Sequence, residues 1–401
     1  ARAFVKSVVN FNGKNGCLKC TINGEYSHVS KTVVFPTLHC PLRTDLKFRQ
    51  KDYGKHHAGQ DSPILKLPDF DMVKDFVVAD SLHLLELGVM KRLLTGWRDG
   101  SLGYEGKLSA LKIQQLSDAV VNVELPKEIH RKMRGLDCLA FWKGTEWHSF
   151  LNYVSIVVLK DFIDEKLYSH FLLLFIAVRI CSSEYFKKWL SLAQILFEKF
   201  IEGFIKIYGE EFVTSNIHNL EHVVGDVQRF GSLSSISAYP FESYLFQLKK
   251  YVRQGKNCLQ QVANRILEKT RFPFNINNAR FVPNIIKRGN LVQCEVRQGL
   301  EINNVFKDSW FLTKEFEIVQ MVDASTDPDN NVLVHGKALV YQTDFFKLPI
   351  RSSFLYIYEA QISHLKQSKA YSIEDILCKF VVIPYNVNNY VYIPLLHTFE
   401  S

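Results

Sequence analysis

The sequence lacks most of what would assign it to a specialised class. No apolar run is long enough to span a bilayer: the longest, Phe171 to Val178, is closed by Arg179. The first residues, Ala1-Arg2-Ala3-Phe4-Val5-Lys6, do not make a signal peptide, and they include no initiator Met. We therefore expect the sequence to begin inside a longer protein, with no membrane role. Low-complexity segments and internal repeats are missing as well. Cysteine is too sparse for a secreted disulfide framework: eight residues are scattered over 401, and only Cys17 and Cys20 form a close pair. A reducing compartment follows, with most thiols acting as small buried hydrophobes. Nor is there an extreme charge. The net +8 permits an anionic partner without demanding one.

What is present reads as an ordinary globular chain of two or three domains, 47% apolar and 22% charged. Residues 1–62 combine a glycine- and asparagine-rich turn, the Cys17-Leu-Lys-Cys20 knuckle and short β segments around Tyr26–Phe35. Residues 63–275 carry helical periodicity, as in Leu82, Leu85, Val89 and Leu93, or Leu108, Leu111, Leu116 and Val120. A linker with Pro273, Asn275, Asn277, Asn278 and Pro283 follows. From residue 285 to 401 the period is two, with strands expected at Trp310–Leu312, Phe316–Val319, Val332–Val334, Leu339–Tyr341, Phe354–Tyr358, Val381–Pro384 and Tyr390–Pro394. The fold class expected is α+β, ending in a small all-β, barrel-like domain.

Three constellations carry chemistry. His218 and His222 are four apart, so both imidazoles lie on one helix face and can share an ion. With Cys17 and Cys20 they make a Cys2His2 set that would staple the start of the chain to the region before Glu242. The rival half-sites, His39-Cys40 and His56-His57, are adjacent pairs whose side chains diverge. Asp80-Ser-Leu-His83 opens a helix, where Asp80 serves equally as an N-cap. Glu242, in Tyr239-Pro240-Phe241-Glu242-Ser243-Tyr244-Leu245, is a carboxylate in apolar and aromatic company. It reads as a metal ligand or as a first-turn acid on the helix dipole. Basic clusters flank these elements: Lys249, Lys250, Arg253 and Lys256; Arg131, Lys132 and Arg134; and the cations of residues 43–55. They read as solvated faces or as phosphate contacts. Trp142 and Trp147 read as core anchors before base-stacking platforms.

These residues together resemble CACTA (En/Spm-type) DNA transposases. The likeness rests on Tyr239 to Leu245 followed by Leu248-Lys249-Lys250-Tyr251-Val252-Arg253, and on Asp80-x-x-His83 followed by Leu87-Gly88-Val89-Met90-Lys91-Arg92-Leu93-Leu94. It rests also on Arg43-Thr44-Asp45, His56-His57-x-Gly59 and Trp142-Lys143-Gly144-Thr145-Glu146, and it extends to about Arg265. The resemblance implies a partial RNase H-like catalytic domain with a large all-α insertion. It implies structural Zn²⁺ at Cys17, Cys20, His218 and His222. In an intact enzyme it implies catalytic Mg²⁺, with Glu242 as the last of three carboxylates and Asp80 and His83 as the Asp-x-x-His signature. In that family the second catalytic Asp precedes an Ala-Arg-Ala-like sequence, so two carboxylates are expected upstream of Ala1. The partners implied are DNA, as transposon ends and target, with homo-oligomers open, in the nucleus. The alternatives are a non-catalytic nucleic-acid-binding or protein-interaction module derived from that family, and an unrelated zinc-stapled helical scaffold.

Overall fold

Asp164 starts the most deeply buried helix, Glu165–Cys181, by accepting from the Lys166 backbone N–H at 2.8 Å. In the computed structural model, which describes residues 2–103, 107–271 and 281–399, this helix is apolar on nearly every side. A helix of that kind must be enclosed. Leu190–Tyr208 packs along it through Leu196, Phe197, Phe200 and Phe204. The π-helical segment Ser81–Met90, continuing as the α-helix Lys91–Asp99, and the segments from Gly144 to Val158 close other sides. Trp142 and Trp147 are buried in this core, 4.8 Å apart by ring centroids and both against Phe150, as core anchors.

Before residue 284 the described residues contain only a two-stranded ribbon, β1 (Glu25–Ser27) with β2 (Thr32–Val34). The RNase H-like sheet implied by the resemblance is not among them. The linker residues Pro273, Asn275, Asn277 and Asn278 lie outside the described residues.

From Asn284 the chain is antiparallel β. The strands are β3 (Asn284–Arg288), β4 (Leu291–Arg297), β5 (Leu300–Asn303), β6 (Trp310–Thr313), β7 (Ile318–Thr326), β8 (Val332–Ala338), β9 (Thr343–Asp344), β10 (Tyr358–Gln361), β11 (Lys369–Ser372), β12 (Ile376–Pro384) and β13 (Asn389–Pro394). Eight of them form one sheet in the order β11-β8-β7-β6-β12-β13-β10-β9, and β3-β4-β5 form a second. The barrel expected from the sequence does not close. The large sheet is open, and its edges are short strands of two and four residues, which is how an open sheet limits its unpaired backbone. Two expected strands also differ. Phe354 lies in the short 3-10 segment Ser352–Leu355 ahead of β10, and Leu339 makes only an isolated bridge with Leu365.

The core does not stop at the change from helix to strand. Trp310, Leu312, Phe380 and Tyr392 belong to the same buried cluster as the helices. The fully buried Arg179 donates to Asn152 O at 3.1 Å and, across the junction, to Pro394 O at 2.9 Å. Lys379, also fully buried, binds Asp308 at 2.6 Å and Glu128 at 2.9 and 3.0 Å. A second, smaller core lies between the two sheets, where Cys294, Val296 and Ile302 meet Val319, Met321 and Val334.

Candidate functional site

The cysteine knuckle depends on a tight turn. A Cβ on Gly16 would stand 2.4 Å from Asn10 O, so the turn closes only around a bare backbone. It delivers Cys17 and Cys20, both buried, with the backbone N–H groups of Lys19 and Cys20 at 3.5 and 3.4 Å from Cys17 Sγ. His218 and His222 arrive from the short helical segments Ser215–His218 and Asn219–His222. The four ligand atoms lie within 4.8 Å of one another. Sγ to Sγ is 3.5 Å, and His218 Nε2 to His222 Nε2 is 3.4 Å. Cys17 Sγ to His222 Nε2 is 3.5 Å, and Cys20 Sγ to His218 Nε2 is 3.3 Å. A tetrahedral Cys2His2 ion with metal–sulfur bonds of about 2.3 Å and metal–nitrogen bonds of about 2.0–2.1 Å has edges of roughly 3.3–3.8 Å. The cluster therefore has the donor set and the size of a metal centre.

Its surroundings agree. Burial pushes the Cys17 thiol up, but hydrogen bonding from Cys20, His218 and His222 outweighs it and holds Cys17 well below the usual thiol range. Cys20 is driven up, by its bond to Cys17 first and burial second, as one proton shared between two sulfurs requires. Behind the ligands, Glu221 Oε2 stands 3.8 Å from His218 Nδ1, and Glu221 Oε1 accepts from the His39 backbone at 2.7 Å. At 3.8 Å that carboxylate and the imidazole are not hydrogen-bonded, and His218 Nδ1 and Glu221 Oε2 are both buried without a hydrogen-bond partner among the described residues. Of the rival half-sites, His56 is used elsewhere: its Nδ1 bonds Asn15 O at 2.7 Å, and burial pushes its imidazole down to about 3. Cys40 packs against the Cys17 and Cys20 cluster, and His39 is exposed.

Asp226 connects this cluster to the acidic residues. Its Oδ1 accepts from Lys19 Nζ, inside the knuckle, at 2.6 Å. Its Oδ2 accepts from the Val78 and Ala79 backbone at 2.6 and 3.0 Å. The segment leading to Asp80 is thus pinned to the helix Val223–Phe230 and to the knuckle at one buried carboxylate.

Asp80 both caps its helix and orients its neighbour. Oδ1 accepts from Leu82 N at 3.2 Å and from Ala238 N at 3.0 Å, which ties it to the start of the helix Tyr239–Tyr251. Oδ2 meets His83 Nδ1 at 2.5 Å, with an Arg2 guanidinium nitrogen at 3.8 Å. His83 Nε2 then faces Glu242 Oε1 at 3.7 Å. Glu242 sits in the first turn of its helix and is 53% exposed at the side chain, so its oxygens are open to solvent or to a ligand. Asp80, His83 and Glu242 therefore form one line of polar groups in which only Glu242 keeps a free carboxylate.

The candidate DNA contacts divide. Lys249 and Lys250 lie in the last turn of the Glu242 helix and are exposed. Arg253 and Lys256 are exposed too, but lie beyond the helix end at Tyr251. Arg131 and Lys132 are exposed, whereas Arg134 donates to both oxygens of the buried Glu146 at 2.7 and 2.6 Å.

Two members of the site, Glu86 and His148, were not singled out from the sequence, and Tyr239 was read only as aromatic company for Glu242. Glu86, 1% exposed, accepts from Tyr239 Oη at 2.5 Å and meets His148 Nδ1 at 2.8 Å, so Glu86 joins the two helices a second time. Burial, and then Glu86, raises the Tyr239 phenol. A lone acid inside Leu84-Leu-Glu-Leu87 was the available signal, the same one that marks Glu242. A cavity of about 280 Å³ opens beside this network, with Asn152, Leu233 and Leu396 among its walls.

A family model described as a domain of unknown function (DUF8592) matches residues 293–395, which run from β4 to the end of β13. No curated protein and no solved structure matches the chain.

Proposed function

We propose that the chain is part of a transposase-derived, DNA-binding and DNA-processing protein of the CACTA type, stapled by Zn²⁺ at Cys17, Cys20, His218 and His222. The observation that carries this reading is the meeting of Asp80, His83 and Glu242. The resemblance names these residues from two distant stretches, and they stand in one line, Asp80 hydrogen-bonded to His83 and His83 Nε2 facing Glu242, at the start of an exposed basic helix. Bound Zn²⁺ would supply cross-linking, not chemistry, because all four donors come from the protein and leave no open position.

The same geometry sets what this chain does. Asp80 orients the His83 ring through Nδ1 and leaves Nε2 facing Glu242. Lys249 and Lys250, about two turns along the helix from Glu242, offer charge to the adjoining backbone phosphates. The described residues do not fit a two-metal centre. Both Asp80 oxygens are occupied, and the single open carboxylate of Glu242 does not displace enough water to hold Mg²⁺. We therefore assign DNA binding to this chain, with cleavage reserved for a protein that supplies further carboxylates. Incubation with supercoiled DNA and Mg²⁺ tests this. Bound but uncut DNA is the expected outcome, and nicking by this chain that survives Glu242→Gln would remove the assignment of the acidic site.

A second reading is favoured by one observation. The helices Tyr239–Tyr251 and Cys258–Arg271 bury none of their residues and expose Phe241, Leu245, Phe246 and Leu259. A non-catalytic protein-interaction module would use such a face. It predicts no DNA affinity at low salt.

A further inference from the structure

We propose that a second pocket, two turns along the Asp80 helix from His83, binds a nucleotide unit, with its phosphate on Lys91 and Arg92 and its base on Phe11. The inference does not rest on the acidic site. Its residues come from three other places: the knuckle loop, the junction of the π-helical and α-helical segments at Met90–Lys91, and the turn before His218.

The cavity is about 360 Å³ and open to solvent on one side, lined by Phe11, Lys91, Arg92, Thr95, Thr214 and Asn216 among others. Among the described residues no carboxylate lines it, and neither Lys91 nor Arg92 has a carboxylate partner. Arg92 is half-buried. One terminal nitrogen reaches Phe212 O at 3.4 Å, and its Nε is buried with no hydrogen-bond partner. A guanidinium taken from water with neither a counter-ion nor a full set of acceptors is costly, and an anion relieves that cost. Burial lowers its pKa, as it does for any cation left without a counter-charge.

The remaining walls suit phosphate. Thr95 and Thr214 bring hydroxyls, and the Asn216 amide bonds no side chain or backbone group among the described residues. Asn216 stands there because residue 88 is glycine. A Cβ at Gly88 would lie 2.9 Å from Asn216 Nδ2. At the rim, Phe11 is 62% exposed on the glycine-rich loop, an uncovered ring beside a cationic floor. Cations for the backbone and an aromatic face for the base are the two parts of a single-strand or nucleotide site.

The test measures binding of inorganic phosphate, a deoxynucleoside monophosphate and oligothymidylate to the chain and to Lys91→Ala and Phe11→Ala. Both side chains are partly or largely exposed, so the variants should melt with the wild type; Arg92→Lys is a third variant that keeps the charge but loses the fork. Lys91→Ala should weaken all three probes and flatten the salt dependence of the oligonucleotide by roughly 0.7 in log–log slope. Phe11→Ala should weaken the nucleotide and the oligonucleotide by roughly 5- to 150-fold while leaving inorganic phosphate and the salt slope unchanged. Affinity that rises from mononucleotide to oligothymidylate supports a strand site, and equal affinities support a free-nucleotide site. Absence of binding to all three probes, or binding unchanged in both variants, overturns the proposal. Lys249→Ala with Lys250→Ala, on the other helix, should leave this binding as it is, which separates the pocket from the acidic site.

Discussion

Asp226 shows how much one buried side chain can organise. It pairs with a buried Lys19 and accepts two backbone N–H groups of the segment before Asp80. Replacing it with alanine leaves a buried ammonium without its counter-ion, held by the Val73 and Lys74 carbonyls, and two buried backbone donors without an acceptor. Asp226→Ala should lose about 3–5 kcal/mol of unfolding free energy, measured by denaturant titration. His170 gives a pH signature. It is buried, stacks on Phe200 at 4.3 Å, and is pushed down by burial to about 4 from an ordinary 6.5. Its folded pKa lies below its unfolded one, so the unfolded chain binds more protons between these values. Its contribution is complete above about pH 6.5 and is lost as the pH falls toward 4, on the order of 3 kcal/mol in all. Thermal melts of the wild type and His170→Phe should therefore converge as the pH falls through this window, and parallel curves would contradict it. Neither role was legible in the sequence, because Asp226 and His170 look like any polar residue on a helix until packing shows what they face.

The elements were read with uneven success, for physical reasons. Helical periodicity at Leu82–Leu93 and Leu108–Val120 located real helices. Ser81–Met90 is nonetheless buried on nearly every side and Leu111 is exposed, so the apolar spacing marked the helices better than it marked their buried faces. The π-helical winding of Ser81–Met90 left no mark on that pattern. Alternation located β6, β7, β8, β12 and β13, but could not tell an open sheet from a closed one, because closure depends on which edges meet. The strand expected at Phe354–Tyr358 failed where Tyr356 adopts a left-handed backbone, φ 56°, and ends the preceding 3-10 segment. The knuckle and the histidine segment were legible as two half-sites because Cys-x-x-Cys and His-x-x-x-His have fixed ligand spacing, and the structure brings them together. A chain purified under reducing conditions should carry one Zn²⁺ by elemental analysis. Cys20→Ser should carry none and melt at lower temperature, since ion binding here is folding free energy. Equal melting temperatures with and without chelator would rule out a structural ion.

At the level of the whole molecule, one core runs from the helices into the large sheet, and the buried Arg179 and Lys379 bond across the junction. The β region covered by the matched family model is thus built onto the helical body through shared apolar packing as well as through the chain. The meeting of Asp80, His83 and Glu242 was suggested by resemblance, not by spacing. No local rule links a helix start to a carboxylate so far along the chain. Glu86 and Asp226, which together with Tyr239 hold that meeting in place, became visible only with the fold. The central claim is that the exposed basic end of the Glu242 helix takes DNA phosphates. It is tested most directly by duplex DNA affinity across a salt series for the wild type and the Lys249→Ala/Lys250→Ala chain. We predict that log K falls linearly with log salt in the wild type and that the double variant flattens the slope by about 2, near 0.9 per lost phosphate contact. No affinity at low salt, or an identical slope in the two proteins, would contradict the account.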